Sequence, residues 1–214
     1  MADLLYWLDL TGVAVFAVSG ALTASRKQMD IIGFILIATV TGIGGGTLRD
    51  LLLDRGPVYW VAQPEYLWTC AAIAIAVYFT AHKVESRFRL LVWADAMGLA
   101  LFTVIGAGVA TALGAPPLVA ILMGVMSASF GGMVRDVLCA EIPLILRREI
   151  YITAAAAGAA IYVLVDRVAE APVAATASGF AAAFAIRAVA ILKGWSLPTY
   201  HPPGRDYPDR TPGT

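Results

Sequence analysis

The segment WLDLTGVAVFAVSG at residues 7–20 returns 86 residues later as WADAMGLALFTVIG at residues 93–106. The two copies share Trp, Asp, Gly, Ala, Phe, Val and Gly in a single register. An apolar composition can imitate scattered Ala and Val matches, but it does not supply Trp, Asp and paired Gly at one spacing. The sequence therefore indicates an internal duplication, the feature that decides the fold.

A second motif repeats at the same shift without a gap. It aligns Gly45-Gly46-x-x-Arg49-Asp50 with Gly131-Gly132-x-x-Arg135-Asp136, and Pro57 with Pro143. The duplicated region thus extends well beyond the first motif of each copy.

The composition predicts a membrane protein. The chain has 214 residues, of which 60% are hydrophobic and 14% charged, and its mean hydropathy is +0.79. Soluble domains have about 45–50% apolar and about 25% charged residues. A spanning helix needs ~20 apolar residues to cross ~30 Å of hydrocarbon. We predict an all-α integral membrane fold with seven transmembrane helices, at about 5–24, 31–53, 66–81, 91–112, 118–140, 150–168 and 173–192.

Each copy of the duplication holds three of these predicted spans. An odd number of spans means that the second copy enters the membrane from the opposite face, which gives an inverted repeat as in many transport proteins. We predict a first three-helix repeat at 1–86, a second, inverted one at 87–171, and a seventh helix at 172–193. The Pro-rich tail at 194–214 is predicted to be disordered.

Lysine and arginine predict the orientation, because they accumulate on cytoplasmic loops. One side collects most of them, and the other has little beyond Arg55 and Arg167. We expect the N-terminus outside and the C-terminus in the cytoplasm. Of the basic side, the residues from Lys83 to Arg89 and Arg147 with Arg148 could contact anionic lipid headgroups, although ordinary topology determinants give the same pattern. Its members are Arg26, Lys27, Lys83, Arg87, Arg89, Arg147, Arg148 and Lys193.

Glycine clusters fall near the middle of two predicted spans. Gly44, Gly45 and Gly46 lie in the second span, and Gly131 and Gly132 in the fifth. Consecutive glycines permit non-helical backbone, which a membrane tolerates only where it is buried in protein or lines a water-filled cavity. We predict that both helices break there and that freed carbonyls coordinate a transient cation. Close packing of helices through small residues is the alternative.

Charged residues flank these glycines inside the spans. At 1.5 Å per residue, they form two predicted layers toward opposite faces. A lone charge in a bilayer costs at least ~2.5–3.5 kcal/mol, so each layer needs partners or water. Structural ion pairs between the halves are one alternative, and helix capping by the first acid of each layer is another. The outer layer is Asp9, Arg49 and Asp50, and the inner layer is Asp95, Arg135 and Asp136.

Several function classes find no support. The spans contain no nucleophile–base pair, so an enzyme is not expected. A net charge of zero without a basic, aromatic-interleaved face argues against nucleic-acid binding. His82 and His201 are isolated, and Cys70 and Cys139 have neither metal nor disulfide spacing. We therefore expect no cofactor, no resident metal and no bond between the two cysteines.

These motifs and the 3+3+1 plan resemble the trimeric intracellular cation channel family, and more closely its bacterial members, described as pairs of glycine-transporter-like domains. The resemblance covers about 4–192. It implies a homotrimer in the bacterial inner membrane, with an hourglass pore for monovalent cations, chiefly K+, in each protomer. The second and fifth spans would line that pore, with the first and fourth alongside. In the motif beginning at Ser129, Phe130 replaces Gly44, which makes it a candidate constriction.

The leading expectation is a passive monovalent-cation channel. A secondary transporter of glycine or a similar small amino acid is the alternative, because the half-helix N-termini of inverted repeats can receive a carboxylate. A non-transporting scaffold would leave the charges inside the spans unexplained.

Overall fold

The computed structural model describes residues 2–84, 86–146 and 150–196. The regular structure in these ranges is helical. The eight α-helices are α1 (Ala2–Arg26), α2 (Ile31–Leu52), α3 (Tyr59–Ala62), α4 (Glu65–Thr80), α5 (Arg87–Ala112), α6 (Pro117–Leu138), α7 (Ile152–Ala169) and α8 (Pro172–Lys193). Short 3-10 turns lie at Ala81–Lys83 and Leu144–Leu146. Most of the predicted tail, and Arg147 and Arg148, lie outside the described residues.

Six helices in these ranges are long and apolar enough to cross a membrane: α1, α2, α5, α6, α7 and α8. The protein is therefore an all-helical, multi-pass membrane protein. Helix α4 occupies the position of the third predicted span but has only 16 residues, about 24 Å of helix. The count of seven spans stays a prediction.

Helices α2 and α6 end in the same way. Asp54 and Ala140, 86 residues apart, both adopt a left-handed conformation with φ of 51°. The next amide in each case donates a 2.8 Å hydrogen bond to a carbonyl in the last helical turn, that of Asp50 or Asp136. Repeated sequence thus gives repeated local geometry, although Ala lacks the side chain that eases this conformation for Asp.

Helices α1 and α5 pack through a reciprocal pair of contacts. A methyl group on Gly12 would lie 3.0 Å from the Phe102 ring, and one on Gly98 would overlap the Phe16 ring. The residue number rises along one helix while it falls along the other, so the two helices cross antiparallel. Each glycine makes room for the phenylalanine of the opposite copy.

Helices α2 and α6 also cross antiparallel, with almost no side chain between them. A methyl group on Gly45 would overlap the carbonyl of Ser127, and one on Gly131 would overlap the carbonyl of Thr41. A methyl on Gly44 would lie 3.3 Å from the α-carbon of Gly131. The glycines therefore bring the two backbones into direct contact.

The predicted interruption of these two helices is wrong. Both run as continuous α-helix through their glycines, and none of those glycines has a positive φ. The backbone groups stay in the helical hydrogen-bond pattern, so the expected release of carbonyls to a cation does not occur there. The glycines serve the packing of helix on helix, which was the alternative prediction.

Helix α8 packs on α7 through a similar close approach. A methyl on Gly158 or on Gly179 would lie 2.8 Å from the carbonyl oxygen of the other residue. The helix outside the duplication is thereby attached to the second copy.

Candidate functional site

The first cluster consists of Asp9, Arg49 and Asp50. Arg49 and Asp50 are each 1% exposed, and Arg49 Nε donates a 2.8 Å hydrogen bond to Asp50 Oδ1. The backbone N–H of Tyr59 donates to the other oxygen of Asp50 at 3.0 Å, and the Arg49 guanidinium lies 5.5 Å from the centre of the Tyr59 ring. Tyr66 donates from its hydroxyl to Asp9 Oδ2 at 3.5 Å. The cluster therefore joins α1, α2, α3 and α4.

Tyr59 lies in the short helix α3, outside the membrane-spanning helices. Burial raises the pKa of Tyr59 well above its ordinary value, and the negative charge of Asp9 raises it further. Its hydroxyl stays protonated throughout the physiological range and can act as a hydrogen-bond donor beside the carboxylate.

The second cluster consists of Asp95, Arg135 and Asp136. Arg135 is fully buried, and its Nε donates to Asp136 Oδ1 at 2.8 Å. Its Nη1 donates to Asp95 Oδ1 at 2.9 Å and also to the Ser19 hydroxyl. The remaining oxygen of Asp136 accepts from the Leu144 N–H at 2.9 Å. This guanidinium therefore connects α1, α5 and α6.

The two clusters lie at opposite ends of the antiparallel helices, and one of the differences between them is at Ser19. Ser19 accepts a hydrogen bond from Arg135 in the second cluster, whereas its counterpart 86 residues later is Ile105, which offers no acceptor. Both terminal nitrogens of Arg49 lack a hydrogen-bond partner within the described residues, as does Oδ1 of Asp9. In the second cluster two atoms lack one in the described part of the chain, Arg135 Nη2 and Asp95 Oδ2. The first cluster is therefore the less satisfied of the two.

The structure thus brings together the three residues of each predicted layer. Among the described residues of the two clusters, the ion pair between different helices is that of Arg135 with Asp95, both in the second copy, so the alternative of ion pairs between the halves stays a prediction. Capping by Asp9 or Asp95 is wrong, because both lie well inside α1 and α5 rather than at a helix start.

The other predicted site residues lie in α2 and α6 close in sequence to the crossing. The Ser129 hydroxyl donates to the carbonyl of Val125 in its own helix at 2.8 Å, and Phe130 is partly exposed. Gly46 and Gly132 adjoin the clusters: a methyl on Gly46 would lie 2.6 Å from the Tyr59 ring, and one on Gly132 would lie 3.2 Å from Asp95 Oδ1. The glycine motif therefore also makes space for the polar groups.

A cavity of about 860 Å³ opens beside the first cluster. Asp9, Tyr59 and Tyr66 line one side, and Tyr162 and Asp166 of α7 belong to another. The sequence analysis identified Asp9 as a site residue but not the three tyrosines or Asp166. The tyrosines do not repeat at the 86-residue shift, and Asp166 stands at the predicted end of a span, where a charge is unremarkable.

A third fully buried arginine was also missed. Arg187 of α8 is 1% exposed, and its guanidinium lies 5.1 Å from the centre of the Tyr151 ring. Its Nη1 donates to the carbonyl of Ile150 at 3.5 Å. The signal was present in the sequence, since Arg187 is the one charged residue inside the apolar run at 173–192.

Comparison with known proteins agrees with the duplication. The sequence profile of the family described as "Glycine transporter" matches the chain twice, at residues 6–82 and 92–167. The UPF0126 inner membrane protein YadS of Escherichia coli K12 is 41% identical over 92% of this chain and 96% of its own length. A UPF0126 membrane protein of Vibrio cholerae is 42% identical over 92% of this chain and 83% of its own length.

Solved structures give the same relationship. The trimeric intracellular cation channel orthologue from Rhodobacter sphaeroides is 52% identical, with a TM-score of 0.88 over 90% of this chain and 99% of that one. The chain belongs to the trimeric intracellular cation channel family. A prokaryotic channel of this family, crystallised in 0.5 M KCl, matches with a TM-score of 0.86 at 29% identity, over 92% of this chain and 100% of that one. The bacterial relatives place the chain in the bacterial branch, as the sequence motifs predicted.

Proposed function

We propose that this protein is a monovalent-cation channel, selective for K+, with a pore inside each protomer lined by α2 and α6 and flanked by α1 and α5. The observation that carries the proposal is the arrangement of charge along the α2–α6 crossing. The backbones touch at the glycines, and a fully buried arginine with carboxylate partners lies at each end. The proteins of known structure that match this chain are cation channels, not enzymes.

The clusters favour cations over anions. Each contains two carboxylates and one guanidinium, which gives a net negative charge before Arg55, beside the first cluster, is counted. Rings of acidic side chains select cations in pores. Arg55, 3.7 Å from Asp50 and half exposed, adds a positive charge at the mouth of the first cluster. In this proposal the carboxylates attract the ion and the arginines hold them in place.

The wider architecture belongs to the same proposal. In it, residues 1–86 and 87–171 are two inverted three-helix repeats and residues 172–193 are the seventh helix. Three protomers assemble in the bacterial inner membrane in contact with its lipids, with the N-terminus outside and the C-terminus in the cytoplasm. The reciprocal, antiparallel contacts of α1 with α5 and of α2 with α6 support the inversion. The inner membrane protein YadS and the trimeric channel orthologue from Rhodobacter sphaeroides support the inner membrane and the trimer.

The alternative, a secondary transporter of glycine, has less support. The transporter hypothesis depends on half-helices that break at the glycines and present their N-termini to a carboxylate. Helices α2 and α6 are continuous, so neither offers such an N-terminus. The family's description as glycine transporters remains its main support.

Recording from purified protein in planar bilayers between KCl solutions tests the proposal. We expect discrete unitary currents that reverse near the K+ equilibrium potential. Electrically silent, saturable glycine uptake by the same preparation in vesicles would overturn it in favour of the transporter.

Two conservative variants test the pathway. Arg49→Lys and Arg135→Lys keep the charge but lose the planar guanidinium. That group contacts Asp50 and the Tyr59 ring in the first cluster. In the second cluster it contacts Asp95 and Asp136. We expect each to change unitary conductance or open probability, whereas Arg167→Lys, at an exposed site, does not. Currents identical to the native ones in both variants would remove the arginines from the pathway.

A further inference from the structure

The cavity beside the first cluster has walls that are aromatic and acidic. Its volume, about 860 Å³, lies within the roughly 300–1,000 Å³ typical of small-molecule sites, and it is far larger than one K+ ion requires. Tyr59 and Tyr66 form an edge-to-face pair with ring centres 4.6 Å apart, and Tyr162 stands on the α7 side. The channel proposal makes no use of Tyr162 or of the volume.

Buried polar atoms among the lining residues lack partners. Oδ1 of Asp9 and the hydroxyl of Tyr59 are inaccessible and form no hydrogen bond within the described residues. Buried polar groups in proteins normally have a partner, so these two atoms leave hydrogen-bonding capacity unused behind the cavity wall.

The charge of the lining is negative. Asp9 and Asp166 contribute two carboxylates, and neither forms a salt bridge within the described part of the chain. Arg55 is the one cation among the lining residues, and it lies 3.7 Å from Asp50, which also pairs with Arg49. Two carboxylates and one guanidinium leave the lining with a net negative charge, which favours a cation over an anion. A zwitterion such as an amino acid would place its carboxylate beside Arg55, and competition by glycine tests for it.

We propose that this cavity binds small organic cations of the alkylammonium class, entering from the membrane face on which Asp9 lies. Aromatic faces attract such cations through the ring quadrupole, and tyrosines with a nearby carboxylate are the usual means of recognising quaternary ammonium groups. An alkylammonium ion has the apolar surface to contact the cavity's aliphatic residues, Ile105 among them, which K+ lacks. Bound there, it would occupy one mouth of the proposed pore.

Binding can be measured without any current. Purified protein in detergent micelles is dialysed against labelled choline, and saturable binding is expected. Asp166→Asn should weaken it about five-fold through the loss of one carboxylate. Tyr162→Leu should weaken it about two- to five-fold through the loss of one ring. Glu170→Gln, four residues beyond Asp166 and outside the cavity, is the matched control and should leave binding unchanged.

Three results would overturn the site. They are the absence of saturable choline binding, binding that neither Asp166→Asn nor Tyr162→Leu weakens, and competition by glycine as strong as that by tetramethylammonium. The last result would indicate a zwitterion site.

The second arm is channel block, which rests on the proposed function. Choline added to one side of the bilayer should reduce the unitary K+ current. In Asp166→Asn the half-blocking concentration should rise by the same factor as the dissociation constant for choline. Block from the opposite side alone, or block that is insensitive to this substitution, overturns the inference. If no unitary current is found while choline binding keeps its pattern across the variants, the channel proposal fails and the binding site stands.

Discussion

The rings of Phe16 and Phe102 stack, with centres 5.2 Å apart and 10° between their planes. Both side chains are buried, and their positions differ by the 86 residues of the duplication. Each residue therefore packs against its own counterpart. Such a contact is expected beside a two-fold axis that relates the two copies, because a residue at the axis meets its own equivalent. The contact couples α1 to α5 at the point where Gly12 and Gly98 make room.

A double-mutant cycle should detect this coupling. Phe16→Leu and Phe102→Leu each keep an apolar side chain of similar volume but remove one ring. We expect the double variant to be less destabilised than the sum of the two singles by about 0.5–1.5 kcal/mol, the value of an aromatic pair beyond its buried area. The measurement is unfolding in mixed micelles with increasing dodecyl sulfate. Strict additivity would show that the stacked geometry contributes nothing.

The crossing of α2 and α6 should not tolerate a methyl group. Gly45→Ala and Gly131→Ala each place a carbon against a backbone carbonyl of the opposite helix, which cannot move as a side chain could. We expect each to lower stability by about 1–3 kcal/mol, the usual cost of overpacking. The control is Gly56→Ala, where an added methyl has open space within 4 Å. The midpoint of thermal unfolding in detergent is the readout, and equal midpoints in all three variants would contradict the packing.

The two buried arginines should differ in their contribution to stability. Arg135→Gln leaves Asp95 and Asp136 without their cation, and breaking a buried pair costs about 3–5 kcal/mol. Arg49→Gln should cost less: Asp50 and Asp136 each keep a backbone N–H, but Asp50 also keeps a cation, Arg55.

Both substitutions are measured by thermal unfolding in detergent micelles. Adding Asp95→Asn to Arg135→Gln should recover part of the loss, since one uncompensated charge is then removed. A larger loss for Arg49→Gln than for Arg135→Gln would mean that the hydrogen bonds in the structure do not report the strength of the pairs.

Much of the helical plan was predictable from the sequence, because hydropathy and repetition are local properties. The structure puts α2 at Ile31–Leu52 and α6 at Pro117–Leu138, within two residues of the predicted boundaries at each end. The clusters were predictable too: Arg49 and Arg135 cannot stay buried alone in a membrane, and the nearest acids in the motif are their partners.

The prediction that failed was the break of α2 and α6 at their glycines. A glycine run can break a helix or let two helices touch, and the sequence of one helix cannot distinguish these, because the second depends on the carbonyl of Ser127 in another helix. The same limit hid Tyr162 of α7, which lines the cavity, and Arg187 of α8, which lies over the Tyr151 ring. Their roles follow from how helices pack together, which neither hydropathy nor the 86-residue shift describes.

The reactivity of Cys139 gives a test that depends on pH. This residue follows the end of α6, and its thiol is 4% exposed. Burial raises the pKa of Cys139, and the negative charge of Glu141 raises it further. Only the thiolate is a nucleophile, so at any given pH the native protein should react more slowly with a small neutral alkylating reagent than a free cysteine does.

In the Cys70→Ala variant, where Cys139 is the remaining cysteine, the rate should keep rising about ten-fold per pH unit past the ordinary thiol pKa of about 8.5. Glu141→Gln removes the negative charge that raises the pKa of Cys139 and should shift the rate profile toward lower pH. The burial of Cys139 stays. The rate is read from the mass of intact protein sampled over time between pH 7 and 10. A profile that levels off at or below the ordinary pKa would mean that this end of α6 opens to solvent on the timescale of labelling, and that the capped geometry it shares with α2 is not rigid.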